Sequence, residues 1–464
     1  MTDQHKLVFD LDLIRRYDKA GPRYTSYPTA VQFHEKFTEQ DYKQWCERTN
    51  AESPQRPLSL YFHLPFCDTV CFYCACNKVV TKNRDKAQPY LDRVYRELAL
   101  QSALFDNSRT VDQLHWGGGT PTFISHEQMR ELMRVTREHF KLHDDDSGEY
   151  SIEIDPREVT EETIGLLREL GFNRMSLGVQ DFEPAVQKAV NRIQTEDETF
   201  AAMNVARRVG FRSVSVDLIY GLPFQSVSSF ARTVDKVIAA GADRLSVFNY
   251  AHLPQMFKPQ RRINAEELPP PEEKLAILDD TIKRLTAAGY VYIGMDHFAK
   301  PEDELAVAQR EGTLYRNFQG YSTHADCDLI GLGITSIGMV GNTYSQNVRT
   351  LEEYYARLDA DSIPVFRGME LDADDLLRRE VITQLICHFA LDITAIERQF
   401  NIVFAEYFAL ELGELGQMQA DGLVALSPTC IEVQPAGKLL IRNVCMVFDK
   451  YLRRAQEQRF SRVI

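Results

Sequence analysis

From Leu58 onward, short β-rich runs alternate with longer helical ones, and that beat constrains the fold of this 464-residue chain more than any other feature. LSLYFHL, VDQLHW (Val111 to Trp116), EYSIEID (Glu149 to Asp155), RMSLGVQ, SVSVDLIYG and RLSVFNY are the six runs, separated by helical stretches such as those from about Ala87 to Leu104 and around Glu161 to Glu169. Such alternation predicts parallel strands joined by right-handed crossovers, with a doubly wound open sheet still admissible. In parallel α/β sheets the working groups gather at the carboxyl ends of the strands. Here a cysteine-rich loop follows the first run, GGGTP follows the second, Glu153 and Asp155 end the third, Gln180 follows the fourth, Asp217 ends the fifth and Asn249 ends the sixth. Any one of them, Asp155 and Asn249 above all, can equally be a structural hydrogen bonder. Their joint placement on one face argues for a site.

The loop is His63 to Asn77, HLPFCDTVCFYCACN, which sets Cys67, Cys71, Cys74 and Cys76 within ten residues. Three thiolates at C-x3-C-x2-C can close one compact loop around three corners of an iron–sulfur cube, because cysteine sulfur is a soft ligand that is deprotonated on binding. The fourth iron then lacks a protein ligand and can bind and activate a small molecule. Cys76 is separated from Cys74 by one residue, so reaching that open corner would require the loop to double back. It is expected not to ligate and to serve the substrate-side reaction. Structural zinc mostly uses two distant C-x2-C pairs, and no second pair exists. A disulfide framework is disfavoured in a long chain with nine cysteines, five of them scattered.

C-x3-C-x-aromatic-C, with Tyr73 as the aromatic, resembles the signature of the radical S-adenosylmethionine (SAM) enzymes. The resemblance implies a [4Fe-4S] cluster on Cys67, Cys71 and Cys74, SAM chelated to its open iron, and a 5′-deoxyadenosyl radical that takes a hydrogen from the substrate. It further implies an α/β fold, a partial (β/α)6 TIM-type barrel over roughly residues 55 to 300. Gly118, Gly119 and Thr120 are then SAM contacts, Glu153 is a carboxylate partner, and Tyr61 and Tyr73 lie near the cofactor. From the residues alone, Gly117-Gly118-Gly119-Thr120-Pro121 is either a tight turn or a backbone that a ligand can touch. It has neither the Lys-Ser/Thr of a P-loop nor the G-x-G-x-x-G spacing of a dinucleotide fold.

The flanks read differently. Residues 1 to about 50 hold no long periodic segment. YDKAGPRYTSYPTA, Tyr17 to Ala30, has an ordered-loop composition, an arm packed over the barrel or a lid with Lys19 and Arg23 facing a substrate carboxylate. After Tyr250 comes a proline-rich, charged link with a basic patch at Lys258, Arg261 and Arg262, usually a solvated loop. LIGLGITSIGMV is strand-like, and from about Leu371 the composition turns helical, with β-like pieces at VALSPT and CIEVQP and a final helix from Val444 to Gln456. Cys387, Cys430 and Cys445 are expected to fill core positions. The expected division is an arm or lid over 1–54, a barrel with extensions over 55–365 and a small, mostly helical domain over 366–464. A formal charge of −14 argues against a nucleic-acid or anionic-membrane partner. The amino terminus is too charged for a signal peptide and no apolar run is long enough to span a bilayer, so a cytoplasmic location is expected.

YDKAGPRYTSYPTA, HLPFC with its C-x3-C-x2-C-x-C extension, HWGGGTPT, FNYAHLP, IGMDHFA, FQGY and NVCMVFDKYL occur in order and together resemble the oxygen-independent coproporphyrinogen III dehydrogenases (coproporphyrinogen III oxidases). The resemblance implies oxidative decarboxylation of two propionates of coproporphyrinogen III to vinyl groups, giving protoporphyrinogen IX for haem synthesis. It implies two SAM molecules, the second met by Gln180, Arg192, Asp217, Ala251 and Ile337 with Tyr73 close by, a reduced flavodoxin- or ferredoxin-type electron donor, and a monomer. The segment STHADCDLIG, with His324 and Cys327, departs from the pattern expected after FQGY and leaves that loop's contact with substrate open. A haem-binding chaperone of the same superfamily and a plain electron carrier are the rival readings. Such chaperones typically lack the last cysteine and the long amino-terminal arm, and a carrier would need neither this length nor an open iron.

Overall fold

The structure is a computed structural model, and it describes residues 6–454. All six expected runs are strands: β1 (Leu58–Leu64), β2 (Thr110–Gly118), β3 (Glu149–Ile154), β4 (Arg174–Gln180), β5 (Ser213–Tyr220) and β6 (Arg244–Asn249). Each pairs in parallel with the next in chain order. A doubly wound sheet reverses its strand order at a switch point; the unbroken order from β1 to β6 is that of a barrel wall. The crossover helices are α1 (Ala87–Ser102), α2 (His126–His139), α3 (Glu161–Glu169), α4 (Glu196–Arg208) and α5 (Val227–Ala239), with α6 (Pro271–Ala287) after β6. Helices α2 to α5 each open on a capping box, Ser125 with Gln128, Thr160 with Thr163, Thr195 with Glu198 and Ser226 with Ser229. Each box satisfies two otherwise orphaned N–H groups and so fixes where the helix starts.

Period-two alternation sorts the strand faces. Leu58, Leu60 and Phe62 of β1, Leu114 and Trp116 of β2, Leu177 and Val179 of β4 and Val214, Val216 and Leu218 of β5 are buried apolar positions on the helix side. Polar residues between them bond to one another across the inner wall: Ser59 with Gln113, Gln113 with Glu149, His115 with Ser151, and Ser176 with Asp217. A closed eight-stranded barrel fills its centre with branched apolar layers. This wall encloses a polar lumen instead.

The sheet stays open. β6 pairs antiparallel with β8 (His297–Ala299), which pairs with β7 (Val291–Gly294) at one edge. On the other side β1 pairs in parallel with β9 (Asp328–Leu332), followed by the antiparallel extension β10 (Ile337–Val340), β11 (Thr343–Asn347) and β12 (Val365–Glu370). The strand-like stretch Leu329 to Val340 is therefore two strands around a turn, and the chain leaves the sheet only after Glu370.

The C-terminal region carries the helix Ala373–His388 and a three-stranded antiparallel sheet of Ala390–Asp392, Cys430–Val433 and Val424–Leu426. The expected single last helix is broken into Ile441–Val447 and Lys450–Arg454, because the Asp449 carboxylate accepts from the N–H groups of Tyr451 and Leu452 and starts a new helix. The end of that expected helix, beyond residue 454, lies outside the described residues. Cys387 and Cys445 are buried as expected, whereas Cys430 is half-buried. The amino-terminal region is more ordered than its sequence implied. It holds the helix Leu11–Tyr17 and a longer one, Glu39–Glu52, capped by a Thr38–Asp41 box and buried through Tyr42, Trp45, Cys46 and Thr49. Between them the arm is fastened to the C-terminal helices: Tyr24 donates to Asp449 at 2.9 Å, Arg442 to the Pro22 carbonyl at 3.0 Å and Asn443 to the Tyr17 carbonyl at 2.8 Å. Among the described residues no helix is long and apolar enough to cross a membrane.

Candidate active site

The cysteine loop leaves β1 at the carboxyl end of the barrel. It is pinched at its base by a short parallel pairing of Phe66–Cys67 with Val79–Val80. Its crest is held from the neighbouring crossovers: Phe72 N–H donates to the Val190 carbonyl at 2.9 Å, Asn191 to the Val70 carbonyl at 2.8 Å, and Gln260 to the Tyr73 carbonyl at 3.0 Å. Beneath it Val186, Val190, Leu222, Tyr250 and Ile263 form a small apolar cluster of their own against Phe72 and Tyr73.

A cavity of about 240 Å³ opens under this loop. Cys67, Cys71, Tyr73, Cys74, Cys76, Gly118, Gly119, Thr120, Glu153, Gln180, Arg192 and Asp217 all line it, so twelve of the fifteen residues expected to meet the cluster, SAM or substrate share one space, with Asp155 beside them. Tyr61, Ala251 and Ile337 are not in the lining. Tyr61 stands one layer behind, stacked on His115 with ring centroids 5.8 Å apart and bonded to His63. Ala251 lies just past β6, and Ile337 opens β10 against the apolar cluster of Phe33, Tyr344 and Leu371.

Glu153 points from β3 into the cavity. Gly118 N–H donates to its Oε2 at 3.1 Å, and His115 Nε2 lies 3.4 Å from its Oε1. Burial raises its pKa, but the bonds from His115 and Gly118 more than offset this and hold it below the usual carboxylate value. His63 donates from Nε2 to the Asn77 carbonyl at 2.9 Å, which leaves Nδ1 to accept from the Tyr61 hydroxyl; burial keeps the ring neutral. The glycine run serves packing as much as access. Gly118 has φ +114°, and a Cβ on Gly119 would lie 2.6 Å from the Phe66 carbonyl oxygen.

The thiols are not equivalent. Burial pushes Cys67 up to about 11, while the neighbouring Cys76 thiol and Lys78 lower Cys74. Cys76 itself is raised, chiefly by Cys74. The Arg192 guanidinium lies 3.5 Å from Cys71 Sγ and Arg157 lies 4.0 Å from it. Arg192 also donates to Asp155 at 2.9 Å and to the Gly178 carbonyl at 2.6 Å, yet its Nε is buried with no hydrogen-bond partner. Three soft donors lining one cavity, cationic side chains beside Cys71 and a buried unpaired donor fit a thiolate-bound iron–sulfur cluster with an anionic group of a ligand next to it. Asp217 lies mid-strand in β5 rather than at its end; burial raises its pKa to about 6 against the hydroxyls of Ser176 and Ser246.

Sequence reasoning did not single out Arg157, His63 or His115. Asp-Pro-Arg at 155–157 was the only local cue to the first, and nothing local marks two histidines as partners of an acid more than thirty positions away. The loop holding His324 lies at the amino-terminal end of the barrel, where Thr323 donates to Glu149 at 3.3 Å and His324 stands 3.7 Å from it. It closes the lumen opposite the cysteine loop.

A family model described as Radical SAM superfamily matches residues 61–237, and one described as HemN C-terminal domain matches residues 371–440. The oxygen-independent coproporphyrinogen III oxidase of Pseudomonas aeruginosa is 56% identical over 456 residues, 98% of this chain and 99% of its own. That of Escherichia coli is 52% identical over 460 residues, 99% of each. The solved structure of coproporphyrinogen III oxidase (HemN) from Escherichia coli, a radical SAM enzyme, is similar with a TM-score of 0.92 at 50% identity, covering 96% of this chain and 100% of that one. With the thiol loop, the ordered parallel wall and the C-terminal region all matched, the chain belongs to the oxygen-independent coproporphyrinogen III oxidases of the radical SAM superfamily.

Proposed function

We propose that this chain converts coproporphyrinogen III to protoporphyrinogen IX, turning two propionate side chains into vinyl groups. The observation that carries the reading is the single cavity in which Cys67, Cys71 and Cys74 face Glu153 and Asp217. Cys67, Cys71 and Cys74 hold a [4Fe-4S] cluster. Gly118, Gly119, Thr120 and Glu153 receive the first SAM, with Tyr73 beside it and Tyr61 setting the His63–His115 wall behind it. When bound, these groups supply reductive cleavage of a sulfonium and abstraction of a hydrogen atom. Each propionate then loses a β-hydrogen atom to the adenosyl radical, CO2, and one electron to an external one-electron acceptor, which leaves the vinyl carbon pair.

The chain's own residues orient and insulate. Gly118 N–H and His115 keep Glu153 ionised, ready to accept a charge-assisted hydrogen bond from an ammonium group. Arg192 and Asp217 support a second SAM with Gln180, Ala251 and Ile337 as further contacts. Cys76 lines the same cavity beside Cys74, and it serves the substrate side.

The electron donor is a reduced flavodoxin- or ferredoxin-type protein. In support, the segments that hold the cysteine loop, residues 69–82, 184–195 and 252–264, contain lysines and arginines and no acidic residue in a chain of net charge −14, and Arg262 lies over the Phe72 ring at 5.2 Å. The chain acts as a monomer in the cytoplasm. The test is anaerobic reconstitution with iron and sulfide, followed by assay of SAM cleavage, CO2 and protoporphyrinogen IX with and without coproporphyrinogen III. Cluster formation with no SAM cleavage would reject the reading.

A further inference from the structure

Among the described residues, Arg316 is the one arginine with two buried donors that no hydrogen-bond partner meets. It is carried by a two-stranded hairpin, Tyr315–Asn317 with Gly320–Ser322, and only 8% of it is exposed. Its Nε and Nη1 are buried with no hydrogen-bond partner. A guanidinium has five donors and no acceptor, and burying it without an anion is costly. Its nearest company is aromatic: the Tyr321 ring lies 4.6 Å below it, His297 meets Tyr321 edge-on at 5.2 Å, and Phe248 meets His297 edge-on at 5.8 Å.

That run of rings ends at a second arginine. Arg23, from the amino-terminal arm, lies 5.9 Å over Phe248 and pairs with Asp296 at 3.2 Å. Asp296 is held there by a turn in which Met295 and Asp296 both have positive φ, +44° and +76°, a strained backbone that persists only where its surroundings enforce it. Arg442 shares the same field: burial and the charges of Arg23 and Arg316 lower its pKa to about 10. His297, the remaining basic group, is kept neutral by burial and by Arg316. Arg23, Arg316 and Arg442 therefore share one electrostatic field, in which Asp296 pairs with Arg23. Phe248 is two residues from Ser246 on the inner side of β6, and Ser246 bonds Asp217 in the cofactor cavity, so this cationic cluster borders the same lumen.

We propose that Arg316, with Arg23 across the Phe248–His297–Tyr321 wall, is a subsite for a carboxylate arm of the substrate. It rests on the functional reading above, since coproporphyrinogen III presents four propionates of which two are retained. The flat fork of Arg316 would take one carboxylate side-on, which fixes the macrocycle over the aromatic rings and turns another arm toward the cysteine loop.

The test uses the full chain loaded with its cluster but without SAM, so that binding is read and turnover is not. Coproporphyrin III, the oxidised macrocycle with the same four propionates, and its tetramethyl ester are titrated by ultrafiltration against wild type, Arg316→Gln and Arg316→Lys, with thermal melts run alongside. Arg316→Gln is expected to weaken the acid by about tenfold or more, the usual worth of a charged hydrogen bond, and to leave the ester within about twofold. Arg316→Lys, which keeps the charge and loses the fork, is expected to fall between and serves alone if the glutamine variant does not fold. Undiminished affinity for the acid in either folded variant, or an equal loss for acid and ester, would overturn the subsite. Failure of the wild-type holoenzyme to convert coproporphyrinogen III would instead overturn the functional reading.

Discussion

Arg192 and Asp155 form a 2.9 Å ion pair in which each side chain is less than a tenth exposed, and the same guanidinium reaches Cys71 Sγ at 3.5 Å. The pair joins the crossover after β4 to the end of β3 across the site. Arg157 completes it, donating to both Asp155 oxygens at 2.9 and 2.6 Å. Removing one partner of a buried ion pair costs roughly 3–5 kcal/mol when the other is stranded. Arg192→Met is expected to cost less, about 2 kcal/mol, because Arg157 still neutralises Asp155. It should weaken SAM binding without loss of cluster iron. Thermal melts and iron analysis decide this, and loss of iron equal to that of a cysteine variant would make Arg192 a support of the cluster rather than of its ligand.

The three thiols at the cavity and the fourth beside them separate cleanly by experiment. Cys71→Ser should remove most cluster iron and all SAM cleavage. Cys76→Ser should retain the cluster's iron and spectrum, because Cys67, Cys71 and Cys74 already supply the three ligands, and should strongly reduce conversion of coproporphyrinogen III. Loss of the cluster in the Cys76 variant would show that it ligates after all.

Gly118 has a backbone no other residue adopts readily, φ +114°, and an added Cβ would sit 2.9 Å from the His63 ring. Gly118→Ala is expected to cost about 1–3 kcal/mol of stability from strain and crowding. Glu153→Ala leaves the backbone alone and should weaken SAM binding with little change in melting temperature. Comparable melting losses in the two variants would assign Glu153 a structural role.

The six strands and their order of use were legible because a wall packed on one face and polar on the other writes a period of two into every run, as in Arg174 to Gln180 and Ser213 to Tyr220. The same alternation hid one placement. Asp217 was expected at a strand end, where a filled barrel keeps its reactive groups, but a hollow polar lumen makes a mid-strand inward position just as accessible. The helix Glu39–Glu52 went unread although its Thr-x-x-Asp box and its apolar spacing at 42, 45, 46 and 49 are helical; the loop-like arm just before it masked the signal. Arg157 and Arg316 were illegible in principle, since what marks them is the partner across the fold, or the lack of one, and neither is written locally.

Asp217 gives the site a titration that can be followed. Burial raises its pKa to about 6 from an ordinary value of 3.8. A carboxyl whose folded value is raised contributes stability that is complete below the unfolded value and is lost as pH rises through the folded one, so the ligand-free protein should lose stability between about pH 4 and pH 6 through this group. Asp217→Asn removes that penalty and should be more stable than wild type at pH 8, by on the order of 1–3 kcal/mol, and equal to it at pH 4. A cationic ligand beside Asp217 favours the carboxylate, which predicts proton release when SAM binds near pH 6. Calorimetry in two buffers of different ionisation enthalpy measures that release, and Asp217→Asn should abolish it. Equal heats in the two buffers for the wild-type protein would place no SAM cation next to Asp217 and would leave the second SAM without its acidic partner.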